Sequence, residues 1–189
     1  MREAGLLFWR QYLRRPLGVG AVMPSGPKLA RAMVAALAPG KDEIVVELGP
    51  GTGAFTEQLI AEGVSPQNLI LIELDPHFAA FLRRRYPAAT VVEESAANLP
   101  QVLAALKRER VSRILSGLPL RSMNVQKREA ITRAMAAALV PGGLVAQFSY
   151  FHVPPLPKSL AERLGLQGKR AGFVLANVPP AVVWRYTRA

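Results

Sequence analysis

The segment Glu47-Leu-Gly-Pro-Gly-Thr-Gly53 constrains this chain most. It follows an apolar, β-branched run and precedes a helical pattern, so it reads as a strand-to-helix turn. Glycines at 49, 51 and 53 let such a turn close tightly and bring backbone N–H groups near a ligand with no Cβ in the way. The spacing is G-x-G-x-G, shorter than the G-x-G-x-x-G that cradles a pyrophosphate. No lysine follows the glycines, which excludes a P-loop. Glu47 precedes them by two positions. A carboxylate there repels phosphate and attracts positive charge. A plain tight turn with a solvated Glu is the competing reading.

The surrounding pattern supplies a frame. Glu43–Leu48 reads as a first strand, Ala54–Ala61 as a helix, Leu69–Leu74 as a strand and Pro76–Arg85 as a helix opened by proline. Thr90–Glu93 is a third strand, followed by a helix near Gln101–Glu109. Val111–Ser116 is a fourth strand, Asn124–Leu139 a long helix stopped by Pro141-Gly142-Gly143, and Leu144–Tyr150 a fifth strand. Gly172–Ala176 and Ala181–Tyr186 read as an antiparallel pair turning at Pro179-Pro180. Alternating strands and helices predict an α/β fold on a largely parallel sheet. Two helices precede the first strand, about Glu3–Arg14 and Pro27–Leu37, so residues 1–38 read as an N-terminal cap on a single domain spanning 1–189.

Composition narrows the classes. With no cysteine and only His77 and His152, disulfides and thiolate metal sites are excluded and no metal is expected. No apolar run is long enough to span a bilayer, and the N-terminus lacks the marks of a secretory signal, so a cytoplasmic protein is expected. The formal charge of +11 suits a polyanionic partner, either nucleic acid or an acidic lipid surface.

The second strand ends in Glu73-Leu74-Asp75. A carboxylate at that tip, some twenty residues beyond the glycines, can accept hydrogen bonds from both hydroxyls of a ribose. Glu73 is the better candidate, because Asp75 precedes Pro76 and suits a helix N-cap. Glycines with an acidic neighbour, then a second acid at this separation, predict a site for S-adenosylmethionine. Its ligands would be Glu47, Gly49, Gly51, Thr52, Gly53, Glu73 and Leu74. Ser95 and Ala96, after the third strand, are placed to meet the adenine, although an ordinary strand-end turn would look the same.

The phrases VVELGPGTGAFTEQLI (45–60), LILIELDPHFAAFLRRRYP (69–87) and SGLPLRSM (116–123) resemble the class I methyltransferases. Within them they are similar to the branch that holds rRNA adenine dimethyltransferases and bacterial phospholipid N-methyltransferases. The resemblance implies a Rossmann-like, seven-stranded sheet with its last strand antiparallel. The rRNA enzymes place Asn-Leu-Pro-Tyr or Phe after the fourth strand to grip a purine amine. This chain has Gly117-Leu118-Pro119-Leu120 there, which argues against a flipped base. The segments at residues 20–33 and 177–184 also resemble the phospholipid enzymes. The implied activity is methylation of the headgroup amine of phosphatidylethanolamine, and of its mono- and dimethyl derivatives, towards phosphatidylcholine. An RNA methyltransferase such as an rRNA adenine N6-dimethyltransferase is the alternative.

The N-terminal helix agrees with lipid on separate grounds. At helical spacing Phe8, Trp9 and Tyr12 share an apolar face, with Arg10 and Arg14 opposite. That pattern suits a helix lying in an anionic membrane interface, peripherally on the inner face, and equally a helix packed on the sheet. For the transfer itself, the carbonyls of Gly117 and Leu118 and the side chains of Tyr150 and His152 are candidates for orienting the amine or relaying its proton. Arg121 and Lys158 are candidates for the lipid phosphate. Each of these side chains also has an ordinary surface reading.

Overall fold

The computed structural model describes residues 26–150, 152–177 and 179–189. The segment containing Phe8, Trp9, Arg10, Tyr12 and Arg14 lies outside the described residues.

Seven strands form one sheet: β1 (Val45–Leu48), β2 (Leu69–Glu73), β3 (Thr90–Glu93), β4 (Val111–Ser116), β5 (Leu139–Tyr150), β6 (Leu166–Val174) and β7 (Ala181–Arg188). Their spatial order is β3-β2-β1-β4-β5-β7-β6. The first five are parallel, while β7 runs antiparallel to both β5 and β6. This is the Rossmann-like arrangement expected. The order reverses between β1 and β4, and the carboxyl ends of strands at such a reversal are where open α/β sheets bind their ligands.

Alternation along the strands sends side chains to two helical layers. Val46, Leu48, Ile72, Ile114 and Val145 face α4 (Leu99–Ala105), α5 (Val125–Ala138) and α6 (Lys158–Arg163). Val45, Leu71, Leu115 and Phe148 face α1 (Pro27–Leu37), α2 (Ala54–Ala61) and α3 (Pro76–Arg85). Leu29, Met33 and Leu37 of α1 are fully buried against the sheet, each contributing about 1.5–3 kcal/mol of burial.

Two strands differ from the sequence reading. β5 begins at Leu139 and runs through Pro141-Gly142-Gly143. Its pairing with β4 jumps there, from Val111↔Leu139 to Arg113↔Leu144, so these residues form a bulge where proline's missing N–H is harmless. β6 begins at Leu166, six residues earlier than expected. It is an edge strand exposed along most of its length, so it lacks the apolar alternation that marks a strand. The helix expected at Gln101–Glu109 instead spans Leu99–Ala105, opened by Pro100.

Candidate cofactor and methyl-transfer site

The glycine turn sits at the carboxyl end of β1, and all three of its glycines have positive φ. Gly49 combines this with close packing: a Cβ there would lie 2.5 Å from Cδ2 of Leu118. The loop after β4 therefore rests on the turn after β1. Gly117 completes the contact, since a Cβ on it would meet the Gly49 carbonyl oxygen at 2.8 Å and the Phe55 ring at 3.2 Å. Thr52 lies half-buried between Gly51 and Gly53.

Glu47 points towards α2 and is completely buried. Its Oε2 accepts a 2.6 Å hydrogen bond from the Thr56 hydroxyl, and its Oε1 has no partner. Burial pushes the carboxyl up to about 8; the Thr56 bond lowers it and the charge of Glu73 raises it further. Glu73 is also buried and also raised, chiefly by desolvation. Its two oxygens accept from the backbone of Asp75 at 3.0 Å and of Gly51 at 2.9 Å. Glu73 thus ties the glycine turn to the tip of β2. Asp75 caps α3 by accepting from the amides of His77 and Phe78.

Leu74, the next residue, is exposed by 57%. Ser95 and Ala96 reach the same tip, because the Glu94 amide donates to the Glu73 carbonyl at 3.1 Å. The Ser95 hydroxyl accepts from the Ala97 amide at 3.3 Å and caps a short 3-10 turn, while Ala96 is buried. The structure therefore gathers Glu47, the glycine turn, Glu73, Leu74, Ser95 and Ala96 along one edge, with Gly117 and Leu118 against the turn.

These residues fit S-adenosylmethionine. Two adjacent buried carboxyls, both held back from ionising, and an orphaned Glu47 oxygen suit a ligand carrying positive charge and N–H donors. Among the described residues, none beyond its two chain neighbours lies within 4 Å of the position a Cβ on Gly51 would take. Leu74 offers an uncovered apolar surface for a flat ring.

The acceptor candidates are dispersed. Tyr150 ends β5, half-buried, edge-on to Phe148 at 5.4 Å. Phe148 lies 6.2 Å from Phe55, so an aromatic row joins Tyr150 to the helix behind the glycine turn. The Tyr150 hydroxyl hydrogen-bonds the Asn177 side chain, and burial raises its pKa. His152 is exposed, its ring 5.3 Å from that of Phe173 on β6. That places it two strands from β5 and away from the glycine turn. Arg121 is exposed on the 3-10 turn after the Gly117 loop. Lys158 is exposed at the head of α6, 3.9 Å from Glu162.

Three contributors were missed in the sequence. Thr56 holds Glu47. Asn177 holds Tyr150 and donates to the Pro179 carbonyl at 2.8 Å. Gln147 is fully buried on β5, and its Nε2 donates to the carbonyls of Leu118 and Phe148, both at 2.9 Å. An amide within the apolar run LVAQFSY was the available signal, since a buried amide demands partners. Among the described residues no group of His, Asp or Glu is arranged to hold a metal ion.

Residues 25–103 match the ribosomal RNA adenine dimethylase family. Ornithine lipid N-methyltransferase of Singulisphaera acidiphila is 32% identical over 147 residues, covering 76% of this chain and 76% of that protein. Ribosomal RNA small subunit methyltransferase A of Chlorobium chlorochromatii is 48% identical over 52 residues, covering 28% of this chain and 19% of that protein. Among solved structures, a TehB-like SAM-dependent methyltransferase from Corynebacterium glutamicum superposes with a TM-score of 0.63 at 15% identity, over 96% of this chain and 97% of that one. The N-methyltransferase NodS from Bradyrhizobium japonicum, in complex with S-adenosyl-L-homocysteine, gives 0.61 at 16% identity over 84% of each chain. At such identities the structures speak for the fold. The chain belongs to the class I S-adenosylmethionine-dependent methyltransferases, a family whose members similar to it act on lipid in one case and on ribosomal RNA in the other.

Proposed function

We propose that this enzyme methylates the amine of a membrane-lipid headgroup, with phosphatidylethanolamine and its partly methylated forms as the expected substrates. The observation that carries the reading is the extent of likeness to the ornithine lipid enzyme, which reaches across three-quarters of both chains. The rRNA reading draws on residues 25–103. Those residues hold the cofactor half of the site, which both branches share, and stop before the Gly-Leu-Pro-Leu acceptor loop. Ornithine lipid and phosphatidylethanolamine each present a primary amine, so one site chemistry serves either.

S-adenosylmethionine, when bound, supplies a methyl group on a positively charged sulfur. Glu47, with its free Oε1, suits the donor's ammonium, and the Glu73 carboxylate suits the ribose hydroxyls. Leu74, Ser95 and Ala96 would surround the base. The protein's remaining task is to hold an uncharged amine at the donor. The Gly117 carbonyl accepts its N–H bond in this reading, and Gln147 and the Leu120 amide fix the Leu118 carbonyl beside it. Tyr150 keeps its phenolic proton at neutral pH, so it orients the amine and does not act as the base. Arg121 and Lys158 are left as contacts for the lipid phosphate, and His152 as an exposed residue against Phe173. Among the described residues no helix is long and apolar enough to cross a membrane, so the lipid is met at the bilayer surface.

Incubation with methyl-labelled S-adenosylmethionine tests this. Vesicles containing phosphatidylethanolamine, vesicles containing ornithine lipid, and ribosomal RNA are offered separately. Label extracted with either lipid supports the reading and names the headgroup. Label in RNA alone overturns it.

A further inference from the structure

Among the described residues the exposed large apolar side chains are Leu74, Val125, Val153, Phe173 and Leu175. Every one stands at the carboxyl-terminal edge of the sheet. Leu74 follows β2, Val125 opens α5 after the β4 loop, Val153 follows β5, and Phe173 and Leu175 lie at the end of β6. Leu74 belongs to the cofactor cleft. Val153, Phe173 and Leu175 form a separate group around the β6–β7 hairpin. Tyr150, Ala181 and Val174 pair in one row across β5, β7 and β6. Leu175 comes immediately beyond that row and is exposed by 73%. Asn177 in the same turn bonds Tyr150, so the tip is tied to the acceptor side of the site.

Among the described residues, the charged side chains Lys28, Arg31, Lys169 and Arg170 around this tip are all basic. Beyond Arg110 the only acidic side chains are Glu129 and Glu162, and none follows Glu162. Lys169 and Arg170 are exposed on β6. Lys28 and Arg31 are exposed on α1 and line a cleft together with Ala176 and Asn177 of the hairpin turn. Exposed leucine and phenylalanine are unfavourable in water, and a group of them marks a surface that meets something apolar. Unopposed lysine and arginine alongside call for an anionic surface. A bilayer rich in acidic lipid supplies both. Nucleic acid would engage the cations but offers an aliphatic leucine little.

We propose that the tip of the β6–β7 hairpin is a membrane-contact surface. Leu175 and Phe173 enter the headgroup region of an anionic bilayer, Lys28, Arg31, Lys169 and Arg170 lie against its phosphates, and the acceptor edge of the sheet is held facing the lipid. This rests on the lipid reading above.

The chain has no cysteine, so Leu175→Cys provides a single thiol for an environment-sensitive fluorophore. Gln101→Cys, exposed on α4 towards the β3 side, provides a reference. Mixed with vesicles of phosphatidylglycerol and phosphatidylcholine, the probe at 175 shifts to the blue and is quenched by a lipid-borne quencher. The probe at 101 does not respond, and neither responds to pure phosphatidylcholine. A probe at 175 that is silent with acidic vesicles, or that responds to RNA or to a second copy of the chain instead, overturns the proposal. Replacing Leu175 and Phe173 by Ser lowers vesicle affinity about tenfold. Undiminished S-adenosylhomocysteine binding shows that the variant is folded, and equal vesicle affinity overturns the proposal. Methylation of detergent-dispersed lipid by the unaltered enzyme requires no membrane contact. Its absence defeats the lipid reading, whereas its presence beside a silent probe defeats only the hairpin surface.

Discussion

The hydroxyl of Thr56 donates a 2.6 Å hydrogen bond to Glu47 where neither side chain meets solvent. The carboxyl nonetheless stays protonated to about pH 8, because one hydrogen bond does not replace the water it has lost. The folded pKa lies above the ordinary carboxylate value of 4.5. Stability from this group is therefore complete below about pH 4.5 and is lost as pH rises through about 8. Denaturant unfolding of the ligand-free protein at pH 5 and pH 8.5 should show the decline. Glu47→Gln should flatten it by at least about 1.4 kcal/mol.

The same carboxyl ties donor binding to pH. A cationic ligand favours the ionised form, so binding near neutrality should expel a proton and tighten as pH approaches 8. Calorimetry in buffers of different ionisation enthalpy detects the proton. Glu47→Gln should abolish its release and weaken binding by about 1.5–3 kcal/mol, the range for a hydrogen bond to a charged group.

Gly53 has φ of 84°, and a Cβ there would lie 2.8 Å from the Tyr86 ring, whose hydroxyl donates to the Gly53 carbonyl at 3.2 Å. Gly53→Ala combines a left-handed backbone with a clash, and should cost about 2–4 kcal/mol of stability. Gly53→Ala,Tyr86→Leu should recover only the part due to the ring. Full recovery in thermal unfolding would mean that the backbone conformation carries no penalty.

Gln147→Leu removes one of the two donors that hold the Leu118 carbonyl, leaving the Leu120 amide, and keeps the volume of the strand. We expect kcat to fall about tenfold, equivalent to roughly 1.4 kcal/mol, with the affinity for S-adenosylhomocysteine unchanged. A loss of cofactor affinity with kcat preserved would show that Gln147 supports the glycine turn and not the acceptor loop.

Tyr150→Phe should lower turnover about fivefold, the value of one ordinary hydrogen bond, while cofactor binding persists. Asn177→Ala should reproduce part of that loss, because it frees the hydroxyl without removing it. Steady-state kinetics on both variants decides; unchanged turnover removes Tyr150 from the mechanism.

The glycine turn, the Glu73 tip, the bounds of α2 and α3, and the largely parallel sheet could all be read in advance, because local turn chemistry and uniformly apolar strands leave little choice. β6 and the bulge in β5 could not. An edge strand needs no apolar face along Gln167–Ala171, and Pro141-Gly142-Gly143 looks like a stop wherever it falls. The cofactor half of the site is contiguous in sequence with its strands, so spacing exposes it. The acceptor half depends on Gln147 and Asn177, and the hold on Glu47 in the cofactor half depends on Thr56; their partners are distant or local by accident of packing, and no spacing rule identifies such contacts. Spacing also could not show that His152 turns outward onto Phe173, since two residues past a strand end either direction is open.

The segregation of acidic side chains has a kinetic consequence. Carboxylates alternate with cations across the β3 half of the molecule, whereas the β6 half carries almost unrelieved positive charge. Near any negatively charged plane such a body feels a torque as well as a pull, and that torque rotates the β6 end forward before contact. Fewer encounters are then wasted on wrong orientations, and the advantage fades as added salt shortens the reach of the field below about 10 Å.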